Sequence, residues 1–252
     1  MSRKIFSLIV ICFLIFAFSY VKNDSIRKIR IFLIGDSTMA NKPLEDNPER
    51  GWGQMLPEFF NEDVEIRNHA KNGRSTKSFI DQGLWQAVLD SLRPVDYVMI
   101  QFGHNDQKIT DSTRYADPHG AYQRNLQCFV NESRAKGAQP ILITPVMRRR
   151  FDEHGQFYDT HGDYPGVVRE VASQIQVPLI DLHQSSRELL VSLGEEKSKE
   201  IFLWIEPGKY ARFPEGKQDN THFSEYGARQ IAGLVVNDIK ALDLKLKDYL
   251  KK

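Results

Sequence analysis

The sequence predicts an α/β fold in three layers, with a doubly wound parallel sheet of about five strands between helices. Two observations predict it. Short apolar runs rich in Val and Ile are nearly continuous rather than alternating, as in strands buried on both faces. Between them lie segments with apolar residues at helical spacing. The runs cover residues 29–34, 64–68, 95–102, 140–144 and 178–182. Helical spacing appears in Tyr122, Leu126, Phe129 and Val130, in Val167, Val168, Val171 and Ile175, and in Ala228, Ile231, Val235 and Ile239. Because strand and helix alternate, the strands should run parallel. No repeat, low-complexity tract or linker divides residues 20–252, so one domain is expected there.

Composition bounds function only loosely. A chain of 252 residues, 41% hydrophobic and 27% charged, suffices for one substantial core. A net charge of +1 gives no global reason to expect nucleic acid, and no protein partner is implied. The start of the chain stands apart. Arg3 and Lys4 precede an apolar run at 5–21, with a small-x-small site at Ala17-Phe18-Ser19 and polar residues after it. That is the layout of a secretory signal over residues 1–19, with an uncleaved membrane anchor as the alternative. Export to the periplasm or the medium follows on either reading. Cys12 would leave with the signal. Cys128, alone and in a helical pattern, is expected to be a small buried apolar residue, and no Cys/His spacing suggests zinc.

In such sheets ligands bind beyond the carboxyl ends of the strands, so the polar residues that follow each strand are the ones to inspect. The first strand runs into Gly35-Asp36-Ser37-Thr38, the second into a loop with Asn72-Gly73-Arg74-Ser75, the third into Gly103-His104-Asn105-Asp106, and the fourth into Arg148-Arg149-Arg150. Far downstream, Asp219-Asn220-Thr221-His222 precedes the last helix. Acyl transfer needs a nucleophile, a base, an orienter for the base and donors for the oxyanion. Ser37 after a tight turn suits the first role, although Gly-Asp-Ser is also an ordinary turn with a capping serine. At a spacing of three, Asp219 can hold one nitrogen of His222 while the other faces outward. The plain alternative is a helix start capped by Ser224. Gly73 permits close backbone approach and offers its N–H; the Asn105 amide offers two donors without charge.

Taken in order, Gly35-Asp36-Ser37-Thr38, Asn72-Gly73-Arg74-Ser75, Gly103-His104-Asn105-Asp106 and Asp219-x-x-His222 resemble the four blocks of the SGNH (GDSL-like) hydrolase superfamily. The Gly-Asp-Ser-Thr and Gly-His-Asn-Asp spellings are most similar to rhamnogalacturonan acetylesterases. The resemblance implies a flavodoxin-like SGNH fold, with Ser37 as nucleophile, His222 as base and Asp219 as its orienter. The oxyanion would rest on the Ser37 N–H, Gly73 N–H and Asn105 amide. It further implies removal of acetyl groups from pectic polysaccharide, with no metal and no cofactor.

Other residues admit two readings each. His154, His161 and Asp163 can be drawn as metal ligands, but irregular spacing in a polar segment favours a solvated loop. Asp181 and His183 favour an ordinary strand-end turn over a second dyad. Arg148, Arg149 and Arg150 form either a solvated basic loop or, with His104, a grip on uronate substrate. Segment 203–217, with Trp204, Tyr210 and Phe213, is either a packed loop or an aromatic sugar platform. The leading expectation is a polysaccharide O-acetylesterase working through an acyl-enzyme. Its rivals are a lipolytic esterase or thioesterase on the same scaffold, and a non-catalytic glycan-binding protein.

Overall fold

The computed structural model describes residues 28–251, so the expected signal segment and Cys12 lie outside the described residues. Five parallel strands form the central sheet: β1 (Ile29–Gly35), β3 (Val64–Asn68), β4 (Tyr97–Gln101), β5 (Gln139–Ile143) and β6 (Leu179–Ile180), in the order β3-β1-β4-β5-β6. Helices α1 (Trp52–Met55), α2 (Thr76–Asp81), α3 (Leu84–Ser91), α4 (Gln123–Ala135), α5 (Tyr164–Gln174), α6 (Leu182–Lys197) and α7 (Glu225–Ala241) complete the expected three layers.

Strand β1 explains why the apolar runs do not alternate. Ile31 and Leu33 join the core beneath α1 and α7, whereas Phe32 and Ile34 join the core beneath α3, α4 and α5. All four side chains are fully buried, each contributing about 1.5–3 kcal/mol by area. Successive side chains point to opposite faces, so a sheet covered on both faces needs apolar residues at every position. The sheet order reverses beside β1, and Gly35 ends that strand against β4. A Cβ on Gly35 would lie 2.7 Å from the Gln101 carbonyl oxygen. Glycine is what permits the tight exit that leads to Ser37.

The expected strand boundaries shift by more than one residue at two strands. The third run was expected from residue 95, but Val95 adopts φ +69° and lies on the surface. Its N–H donates to Gly137 O, the Asp96 N–H closes a turn on Arg93 O, and the strand begins at Tyr97. The fifth run shortens to Leu179–Ile180 because Asp181 caps α6, its carboxylate accepting from Gln184 N. Cys128 is only half-buried; burial and the Glu132 carboxylate push its thiol up to about 11.

A second sheet had no clear sequence signal. β2 (Glu49–Arg50), β7 (Phe202–Ile205) and β8 (Lys217–Ser224) form an antiparallel sheet in the order β2-β8-β7. β8 reads Lys-Gln-Asp-Asn-Thr-His-Phe-Ser, too polar to suggest a strand. Its pairing is interrupted in a telling way. Consecutive residues Phe202 and Leu203 of β7 pair with Phe223 and Asp219, so residues 220–222 are extra and bulge out of the ladder.

Candidate active site

That bulge aims the imidazole. Asp219 stabilises it with Oδ1, which accepts from Thr221 N at 2.8 Å and His222 N at 2.9 Å. Asp219 Oδ2 takes the His222 Nδ1–H at 2.8 Å and also lies 3.2 Å from Lys217 Nζ. Burial alone would raise the Asp219 carboxyl, but the bond and charge of His222 outweigh it and hold the group well below the usual carboxylate range. The other ring nitrogen, Nε2, lies 2.9 Å from Ser37 Oγ. With the proton on Nδ1, His222 Nε2 is an acceptor and the Ser37 hydroxyl is its donor.

The turn bearing Ser37 is fixed from below. Asp36 is fully buried, and its Oδ1 accepts from Thr38 N at 2.9 Å and Thr38 Oγ1 at 2.8 Å. Asp36 Oδ2 lies 3.2 Å from His104 Nδ1, an ion-pair distance without the alignment of a hydrogen bond. Burial works against the ionised Asp36, but His104 and the Thr38 bonds prevail and hold it at about 2. Burial lowers His104 from its ordinary value.

The two expected oxyanion positions meet across the same cavity. Gly73 has φ +76°, a left-handed conformation suited to glycine, and it lines the cavity with Ser37, Asn105 and His222. Asn105 is buried and donates one amide N–H to Arg74 O at 3.0 Å, which leaves its second N–H. Asp106 locks this loop to α2: its Oδ1 accepts from Thr76 N at 2.8 Å and Thr76 Oγ1 at 2.6 Å. Burial pushes the Asp106 carboxyl up to about 7.

The arginine triplet divides. Arg148 lines the cavity and reaches His104 O and Thr160 Oγ1. Arg149 is buried away from it, donating to Glu195 O, Ser198 Oγ and Asn220 Oδ1, so the expected grip on substrate is corrected to a brace beneath the bulge. Arg150 is exposed and does not line this cavity. Trp204 is corrected too. Its Nε1–H donates to Asn220 Oδ1 at 2.9 Å, and its ring packs 5.0 Å from the Arg149 guanidinium, so it buttresses the bulge rather than offering a sugar platform. Tyr210 and Phe213 pair with each other across a tight turn and do not line this cavity.

His154 is exposed as expected of a solvated loop, and Asp163 is exposed beside His119. His161 is not solvated. It is buried, and burial pushes its imidazole down to about 3. Asp159 pairs with both His161 and His183, while Asp181 caps α6 and forms no dyad with His183.

The cavity has a volume of about 480 Å³. Sequence reasoning missed Lys108, Lys217 and Glu49, which line it with Arg148, Asn72 and Thr221. Every lining side chain is polar or charged, or is glycine. Lys108 follows the Gly-His-Asn-Asp block by two residues, and that proximity was the available signal; Lys217 sits on a strand the sequence did not announce.

Comparison with known proteins identifies the family. A model of the GDSL-like lipase/acylhydrolase family matches residues 33–230. The chain is 44% identical to rhamnogalacturonan acetylesterase RhgT of Bacillus subtilis over 89% of this chain and 95% of that protein. It is 26% identical to the rhamnogalacturonan acetylesterase of Emericella nidulans, over 87% of this chain and 88% of the other. Among solved structures, protein YxiM of Bacillus subtilis superposes with a TM-score of 0.73 at 28% identity, covering 85% of this chain and 56% of that one. With these relatives and this family match, the chain belongs to the GDSL-like lipase/acylhydrolase family.

Proposed function

We propose that the protein is a serine esterase that removes O-acetyl groups from a uronate-bearing polysaccharide of the rhamnogalacturonan type. The observation that carries this reading is the relay Asp219–His222–Ser37 opening into a cavity lined by polar and charged side chains and a glycine. With no apolar side chain to receive it, a long acyl chain gains little by burial there, which disfavours a lipase or thioesterase, whereas acetyl needs little space. The relay also disfavours a mere glycan binder, since binding requires no nucleophile and base.

Ser37 Oγ attacks the acetyl carbonyl while His222 Nε2 takes its proton, and Asp219 steadies the imidazolium. The oxyanion is received by the Ser37 N–H, the Gly73 N–H and the free N–H of Asn105. His222 then returns the proton to the departing sugar hydroxyl, and water repeats the cycle on the acyl-enzyme. Lys108, Arg148 and Lys217 on the wall suit uronate carboxylates, in keeping with the relatives named for acetylated rhamnogalacturonan. The basic and apolar start of the sequence supports export, where such polymers are met.

Acetate release from acetylated rhamnogalacturonan oligosaccharides and acetylated xylo-oligosaccharides tests the substrate. The former should be preferred, and Lys108→Ala should lower kcat/KM on it by about three- to tenfold, as an exposed charge contact allows, without a similar loss on a neutral aryl acetate. Equal rates on both polymers and in both proteins would remove the uronate part of the reading.

A further inference from the structure

A second group of imidazoles lies outside the cavity just described. The loop between β5 and α5 carries Asp159 and His161, and the first turn of α6 carries His183. Asp159 bridges the two rings: Oδ1 lies 3.0 Å from His161 Nδ1, and Oδ2 lies 3.1 Å from His183 Nε2. One ligand atom from each of the three residues lies within 4.8 Å of the other two. Two imidazoles and a carboxylate are a donor set for a borderline divalent ion such as zinc, bound at about 2.0–2.2 Å with a fourth position left to water. Asp159 and His183 open onto a cavity of about 470 Å³, also lined by Asp163 and His119, which supplies both entry and water.

Hydrogen-bond accounting behind the cluster points the same way. His161 Nε2 faces His104 Nε2 at 3.4 Å, deep in the protein. His104 Nδ1 faces the Asp36 carboxylate, and His161 Nδ1 faces the Asp159 carboxylate. A carboxylate at each end draws each ring's proton to Nδ1, so two neutral rings oppose lone pair to lone pair at the Nε2 contact. An ion on His161 Nδ1 removes the conflict. It moves the His161 proton to Nε2, where it is donated to His104 Nε2, and His104 keeps its Nδ1 proton toward Asp36. Metal-bound histidines commonly donate their second nitrogen in this manner.

We propose that Asp159, His161 and His183 bind one divalent ion of the zinc class, His161 through Nδ1 and His183 through Nε2. The ion ties the 151–163 loop to α6, and the chain of imidazoles behind it ends at Asp36, next to Ser37. One neighbour opposes it. Arg169 NH2 lies 3.3 Å from His183 Nδ1, the nitrogen that would carry the proton when the ion is bound. Arg169 therefore sets the affinity downward, and Arg169→Gln, which removes a cation and offers an acceptor, should tighten binding.

The test is titration of the full chain, first stripped with chelator, with zinc chloride by calorimetry. It is repeated with cobalt(II), whose visible spectrum reports the coordination geometry. The expected result is one ion per chain with Kd on the order of micromolar or tighter. Asp159→Asn and His183→Gln should weaken it by about a hundredfold, and circular dichroism should find both folded. His222→Ala should bind as the wild type does, which separates this site from the catalytic imidazole. Absence of saturable binding in the wild type would overturn the proposal. So would binding that survives Asp159→Asn and His183→Gln but disappears in His222→Ala.

Discussion

Two of the carboxylate-held imidazoles among the described residues, His222 and His161, differ in what lies beyond the ring. At His222 the carboxylate of Asp219 holds Nδ1, and Nε2 meets a hydroxyl at 2.9 Å on the wall of an open cavity. At His161 the carboxylate of Asp159 also holds Nδ1, but Nε2 meets a second imidazole at 3.4 Å in the interior. The orienting half is the same in both. What suits His222 to act as a base is a proton donor with access to substrate, supplied by the turn after β1 and the three-residue bulge in β8. A carboxylate–imidazole couple in a sequence is therefore half of an active site.

The sharpest way to break the comparison is to remove one imidazole from each cluster. His222→Ala should lower kcat on an aryl acetate by about 10⁴–10⁶, as loss of a triad base does. His183→Gln should cost at least a hundredfold less than that, since its ring touches no reacting group. Steady-state rates of the two purified variants decide it, and comparable losses would mean the clusters act as one.

A smaller effect sharpens the same contrast among carboxylates. Asp36 and Asp106 are both fully buried, yet Asp36 faces an imidazole and is held at about 2, whereas Asp106 has only Thr76 and is pushed up to about 7. An acid whose folded pKa exceeds its unfolded value, about 3.9, binds a proton on folding. Its contribution is fully present below about pH 4 and is lost as pH rises through about 7. Asp106→Asn imitates the protonated acid and cannot titrate. Its stability relative to wild type should therefore rise between pH 4 and 8, by on the order of a few kcal/mol. Chemical denaturation of both proteins across that range measures the difference, and parallel curves would contradict the assignment.

The sequence carried the central sheet and the four signature blocks because both leave local marks. Buried parallel strands need continuous apolar runs, and the first three blocks come after strands of that sheet, whereas Asp219-x-x-His222 lies inside β8. Ser37, Gly73 and Asn105 stood out as candidates for that reason, and Asp219 and His222 through their spacing of three. The small sheet was not, because β8 is polar and is held by pairing with β7 rather than by its own pattern. Arg149 and Trp204 looked like substrate contacts, but a charged or aromatic residue after a strand can turn inward as readily as outward. Here both converge on Asn220 Oδ1. The Asp159–His161–His183 cluster joins a loop to a helix some twenty residues away, and no spacing rule connects them.

The most direct test of the account is turnover of a small aryl acetate by Ser37→Ala. The hydroxyl at 2.9 Å from His222 Nε2 is the nucleophile that the proposed mechanism requires. Its loss should reduce kcat by on the order of 10⁶, leaving the residual rate that oxyanion donors and binding sustain, with the circular dichroism spectrum and melting unchanged. A folded Ser37→Ala protein that keeps more than about a tenth of wild-type activity would contradict the assignment of Ser37 as nucleophile.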